Sequence, residues 1–374
     1  MVKTKKLFAA CAALAAALAL GGCSTRGLVV DLKPESLELA PGPAGAFLSL
    51  AVDSGSLYAV YADPSTATLN LVDLPLGPRL PSQAPAAQVI DKVDVAAPLA
   101  PFFGENVLCA DHGTVGVLYL DRETDTRNVL KLAWRAGADG PWNLDVMEPP
   151  GDPLSLEPDG KGGFSAAWTS GIVSCRNDLG QVTVPVPPIS LRLIGRAGQT
   201  GPGAGFTAYD SLASVLLALR WNGSGFDTQA IPGATPVHAS LRSAAGRLDV
   251  LSWDPAGRRL LLRREQRSPG EFTTQTVTVC DGTGTVALLP GAGDSSFLFL
   301  FDETRSPGAG RLQSQVSVIA PGNLLGTGGS RYRKGVITRG EPRIGGFAAA
   351  RTPDSLYVLV SQGDLRLLRV SLKD

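Results

Sequence analysis

Only two histidines, His112 and His238, occur in 374 residues, so no site built from several imidazoles can be assembled. Neither a G-x-S-x-G nucleophile elbow nor a P-loop is present. The glycine-rich stretches at 198–205 and 326–329 lack the strand-to-helix setting that a phosphate cradle requires. Charge of one sign is missing as well, because 34 Lys and Arg face 34 Asp and Glu. Residues 1–22 hold Lys3, Lys5 and Lys6 and no acid, so without them 31 basic groups (34 less 3) face 34 acidic ones. That balance gives no electrostatic reason to bind nucleic acid. A sustained 3.6-residue apolar period is absent, and 44 Gly with 28 Pro argue against long helices. The apolar fraction of 44% excludes a disordered chain. The residues therefore point to no catalytic, cofactor-binding or metal site.

What is present begins with an address. Lys3, Lys5 and Lys6 precede the apolar run Leu7–Leu20, which is shorter than the roughly 20 residues that cross a bilayer and fits a secretory signal peptide. The run ends in Leu20-Gly21-Gly22-Cys23-Ser24, which resembles the lipobox of bacterial lipoproteins. The resemblance implies a signal peptide over 1–22, cleavage between Gly22 and Cys23, and Cys23 as a mature N-terminus carrying diacylglycerol and an N-acyl chain such as palmitate. Two or more acyl chains hold a protein stably to its membrane. Ser24 stands where an Asp implies inner-membrane retention in enteric bacteria, so an outer-membrane, periplasm-facing location is expected if the organism has two membranes. The alternative is an ordinary signal peptide cut elsewhere, with Cys23 incidental.

Past the anchor the chain breaks into short apolar runs bounded by Gly, Pro, Asp and Asn. GFAAAR, SLYVLVS and LRLLRVSL at 346–372 make three strands joined by tight turns, and the layout recurs at 46–74, 106–134 and 238–265. Four middle strands end on Asp63, Asp121, Asp254 and Asp302, with Ser361 in the corresponding place of the last unit. Degenerate units at 162–170 and 214–222 bring the number to seven, spaced by about 50 residues. Middle strands are apolar on both sides (Leu57, Ala59 and Tyr61 against Tyr58 and Val60), as a sheet sandwiched between two neighbours requires. The spacing predicts an all-β chain, a β-propeller of seven blades with three to four antiparallel strands each over 46–374, resembling in general plan the seven-bladed propellers. Six or eight blades, or two β-sandwiches divided near 196–205, are the alternatives. Residues 23–45 are expected to form anchor, tether and a closing strand, from 27–32 or from 36–40, that covers the open edge of the last unit.

The strand-end aspartates read as turn caps rather than metal ligands. Trp134, Trp168, Trp221 and Trp253 fall at strands and read as packing, and Cys109, Cys175 and Cys280 as buried thiols. Arg331, Arg333, Lys334, Arg339 and Arg343 lie in the longest unpatterned segment, 322–346, which reads first as a solvated loop, with contact to an acidic partner or lipid headgroups as the alternative. Together these features predict a lipid-anchored envelope protein. It would bind an envelope protein or glycan, or act as a scaffold, without catalysis. The alternative is a carbohydrate-active hydrolase or lyase with acids such as Asp111, Asp210 or Glu341 in the channel.

Overall fold

The computed structural model describes residues 29–372 apart from 43–46, 54, 95–106, 125–126, 148–152, 159–163, 169–171, 177–180, 184–190, 194–204, 211–212, 222–225, 232, 234–236, 243–246, 267–269, 292–296, 306–312, 328–330 and 341–343. Gly22, Cys23, Glu341 and Arg343 lie outside the described residues, as does most of 196–205. Among those described, every regular element is a β-strand.

The described strands form seven sheets: five are antiparallel meanders of four, the sixth is such a meander with an added parallel strand, and the seventh is a meander of three with a fourth strand from the N-terminal part of the chain. In the first, Leu48–Asp53, Ser56–Asp63, Thr68–Pro75 and Gln88–Lys92 pair in chain order. The turn chemistry is local. Asp111-His112-Gly113 joins two strands of the second sheet with φ of 50° at His112 and 78° at Gly113, the double left-handed geometry whose twist matches paired strands. The fourth, outer strands are the polar ones. Phe272–Val279 (FTTQTVTV) in the fifth sheet is mostly exposed, which is why its apolar signal is weak in the sequence.

Packing then orders the sheets. Among the described residues, six clusters of buried side chains fill the seams between the first and second, second and third, fourth and fifth, fifth and sixth, sixth and seventh, and seventh and first sheets. In the last of these seams Tyr357 and Leu359 of the seventh sheet meet Leu48, Leu57 and Ala59 of the first. First strands touch one another between the first and second, second and third, fifth and sixth, sixth and seventh, and seventh and first sheets, so they line a common axis. They also point the same way, because Gly113 N donates to Asp53 Oδ2 across one seam and Arg351 Nη1 to the Pro290 carbonyl across another. The chain is a β-propeller, and two separate sandwiches are excluded.

The seam between the second and third sheets requires a glycine. A Cβ on Gly116 would lie 2.8–3.0 Å from the ring of Phe164, which is itself 1% exposed. Gly116→Val is expected to cost about 1–3 kcal/mol by overpacking, measured by urea unfolding, and adding Phe164→Leu should recover part of the loss. A Gly116→Val protein of unchanged stability would show that this seam is loose.

The outer edge of the seventh sheet is closed from the other end of the chain. Glu35–Ala40 pairs antiparallel with Leu365–Ser371, leaving 36–40 rather than 27–32 on that edge. Val30–Asp31 instead pairs in parallel with Tyr332–Gly340, as a fifth strand on the sixth sheet. One sequence-based unit is displaced: Val215–Trp221 is the third strand of the fourth sheet, behind Gly205–Asp210, because the shorter, less apolar second strand is hidden among glycines.

Candidate functional site

The segment expected to be a basic loop is largely a strand. Tyr332–Gly340 (YRKGVITRG) forms the fourth strand of the sixth sheet. Its centre, Gly335–Ile337, is buried while its ends carry charge, and this short apolar stretch between basic residues conceals an outer strand. Side chains alternate across it: Tyr332 and Lys334 turn toward the phenylalanines at the fifth-sheet seam, whereas Ile337 packs in the seventh-sheet seam.

The strand also separates the charges that the sequence groups. At about 3.3 Å per residue, Arg331 and Arg339 are roughly 26 Å apart. Arg339 Nη2 lies 2.7 Å from Asp31 Oδ1 on the added N-terminal strand, both groups more than half exposed. Lys334 Nζ donates to Glu303 Oε2 at 2.6 Å and sits 5.1 Å above the Phe301 ring; Glu303 is further held by Gln315. Lys334 is thus a structural cation. Arg331, which is exposed, and Arg333, half-buried, are in no ion pair among the described residues. Beside them a groove of about 150 Å³ is lined by Arg264, Gln275, Val277, Phe297, Phe299 and Tyr332. Tyr332 is 41% exposed and accepts a hydrogen bond on its hydroxyl from Phe297 N.

At the axial mouth, Asp111 Oδ1 lies 2.7 Å from His112 Nδ1, leaving the other ring nitrogen of a 70% exposed side chain toward solvent. Asp53, the neighbouring acid, accepts the Gly113 N–H. The described acids at this mouth therefore hold the hairpin in place. The side chains of Asp210 and His238 are not among those described.

The four strand-end aspartates divide into two kinds. Asp63 accepts the N–H and hydroxyl of Ser65, and Asp254 accepts Ala256 N, Gly257 N and Arg259 Nε. Both cap turns as expected. The bonds from Gly257 and then Arg259 hold the Asp254 carboxyl below its ordinary value. Asp121 and Asp302 are instead buried. Asp302 gathers three donors from residues 283–285, and Asp121 joins a network at the seam of the first and second sheets. There Lys131 Nζ bridges Asp121 Oδ2 at 2.7 Å and Asp91 Oδ2 at 2.8 Å, and the Tyr119 hydroxyl donates to the same Asp91 oxygen. Burial opposes the charge of Lys131, but the two carboxylates hold its pKa above the ordinary value. Burial, then the bond to Asp91, raises the Tyr119 phenol. Local sequence carries no signal for this cluster, because Asp91 sits 40 residues from Lys131. Among the described residues no group of three or more His, Cys, Asp or Glu could hold a metal.

Trp134 packs in a seam and donates to Asp145, and Trp253 packs in another; the side chains of Trp168 and Trp221 are outside those described. Cys109 and Cys280 are buried thiols, and that of Cys175 is not described. Burial pushes the Cys280 thiol up to about 12. Iodoacetamide at pH 8 is expected to leave Cys280 unmodified in the native protein and to alkylate it in denaturant, read by mass spectrometry. Native alkylation would place that thiol at the surface.

No family model matches the chain, and no curated protein matches it. Several solved structures do share its fold. YCF48 bound to D1 peptide is 14% identical with a TM-score of 0.54, covering 91% of this chain and 97% of its own. A virginiamycin B lyase from Staphylococcus aureus, in a catalytically inactive form with quinupristin, is 10% identical with a TM-score of 0.52, covering 91% and 100%. An ulvan lyase of polysaccharide lyase family PL25 is 11% identical with a TM-score of 0.52, covering 91% and 96%. All three span nearly the whole propeller, and at these identities they establish its fold. Binding and catalytic proteins are both among them.

Proposed function

We propose that the protein is a lipid-anchored envelope propeller that binds a protein or glycan partner without performing catalysis. The observation that carries this reading is the Leu20-Gly21-Gly22-Cys23 box placed 12 residues before a strand, Glu35–Ala40, that is built into the ring. An anchor so close to the closing strand would tether a rigid disc near the bilayer. Asp53, Asp111 and Asp354, acids in or beside the first hairpins of their sheets, are bonded to groups of those hairpins, which supports a binding role over an acid–base one. Partners would engage the loop-bearing faces, as loops on a rigid scaffold commonly do.

The test is affinity capture of the acylated protein from detergent-solubilised envelopes, alongside a Cys23→Ala form. A mature protein with the mass of a triacylated Cys23, retained on membranes and recovered with a specific partner, is the expected result. A Cys23→Ala protein that stays on membranes would remove the anchor, and a measured turnover on any glycan would remove the non-catalytic role.

The second reading is a carbohydrate-active hydrolase or lyase, favoured by one observation: the exposed His112 ring is oriented by Asp111, as a general base requires. If so, His112→Asn abolishes turnover of a polyuronate while leaving the unfolding midpoint unchanged.

A further inference from the structure

We infer that the end of the sixth sheet carrying Arg331, Arg333 and Tyr332 is the face the propeller turns to the membrane, where it contacts anionic lipid headgroups. The inference rests on the lipid-anchor reading and adds which surface the anchor brings down. Its first support is direction. Val30 and Asp31 pair in parallel with Gly335 and Val336, so Val29, the residue before them, lies on the side toward Arg333 and Arg331. The exit is fixed by packing as well as by pairing. Leu32 N donates to the Val336 carbonyl, and the Leu32 side chain closes over Gly335, where a Cβ would come within 2.7 Å of it.

Its second support is reach. Five residues, 24–28, separate Cys23 from Val29, a length that spans at most about 20 Å when extended and about 12–13 Å as a flexible chain. An acylated Cys23 therefore keeps this end of the sheet within one or two headgroup layers of the bilayer, whereas the end bearing Arg339 is roughly 26 Å further along the strand.

Its third support is the chemistry of the surface. Arg331 and Arg333 have no ion pair among the described residues. Lys334 and Arg339 are already neutralised by Glu303 and Asp31. Val29, half exposed, and Tyr332 flank the arginines, and aromatic and apolar groups beside cations suit the headgroup level of a bilayer.

The test uses the full acylated protein, reconstituted into phosphatidylcholine vesicles with or without phosphatidylglycerol. A bimane probe is placed at Asn323→Cys, in the exposed loop beside Tyr332, or at Ser65→Cys, at the opposite end of the sheets, in a Cys175→Ser background. Headgroup spin-labelled lipid is expected to quench the probe at 323 several-fold more than that at 65 in anionic vesicles. High salt, or Arg331→Glu with Arg333→Glu, should remove most of the difference, and the milder Arg331→Gln with Arg333→Gln checks that misfolding is not the cause. Equal quenching at the two positions, or a difference indifferent to lipid charge and salt, overturns the surface and leaves the anchor standing. A protein lacking acyl mass, or washed from the vesicles, overturns the anchor and the surface together.

Discussion

Asp302→Ala is expected to destabilise the protein by about 3–5 kcal/mol, with a fall in Tm of roughly 5–8 °C. Asp302 is 4% exposed, and its Oδ1 alone accepts from Thr283 Oγ1 at 2.8 Å, Gly284 N at 2.8 Å and Thr285 N at 2.6 Å. These donors belong to the connection that brings the chain from the fifth sheet into the first strand of the sixth, Val286–Pro290. Alanine leaves the Gly284 and Thr285 N–H groups without their acceptor in a buried place, each worth about 1–3 kcal/mol, and takes one of two acceptors from the Thr283 hydroxyl, which keeps the Thr285 carbonyl. Water entering the vacated volume offsets part of this, hence the lower total. Asn keeps one acceptor oxygen and should recover about half. Denaturant unfolding with an unchanged m-value checks the effect. A loss below about 1 kcal/mol for Asp302→Ala would mean that the connection does not need its anchor.

Leu37→Asp should be more damaging still. Leu37 is 5% exposed and sits in the seam where the last sheet meets the first, among Leu48, Leu50, Tyr357 and Leu367. Its strand is fixed at the start by Glu35, whose Oε2 accepts Leu80 N of the first sheet and whose Oε1 accepts from Arg369 of the seventh. Leu37→Ala should cost about 2–5 kcal/mol by leaving a cavity. A buried, unpaired carboxylate adds several kcal/mol more, enough to detach Glu35–Ala40 from Leu365–Ser371. The edge so exposed is a template for pairing with other chains, so oligomers are expected in light scattering together with a lost cooperative transition. A monomeric Leu37→Asp protein within about 1 kcal/mol of the parent would show that the ring closes without this strand.

Much of this is legible in the residues. SLYAVYAD, SLYVLVS and FLFLFDE announce central strands because both of their faces are apolar, and DSG, DHG and DPAG announce the turns. The outer strands are harder to see. QVIDK, NLDVM and FTTQTVTV have one wet face and one free edge, so they carry little apolar periodicity, and YRKGVITRG reads as a loop because its buried centre, Gly335–Ile337, is short and lies between basic residues. The four strand-end aspartates look alike in sequence. Two of them cap their own turns within five residues. The other two reach residues 10–27 positions away, a choice set by which neighbouring segment happens to pack over the carboxylate.

By itself, then, the sequence determined the class of structure and the repeat, because alternation and turn chemistry act over a few neighbouring residues. Tertiary structure alone decided which N-terminal segment closes the ring, with Glu35 meeting Arg369 across 334 positions. It also decided that Lys334 and Arg339 are paired while Arg331 and Arg333 are not, and that Lys131 lies between two aspartates. Those outcomes depend on strands that become neighbours only when the sheets pack around their axis, and no local pattern encodes a distance between residues that the fold has yet to bring together.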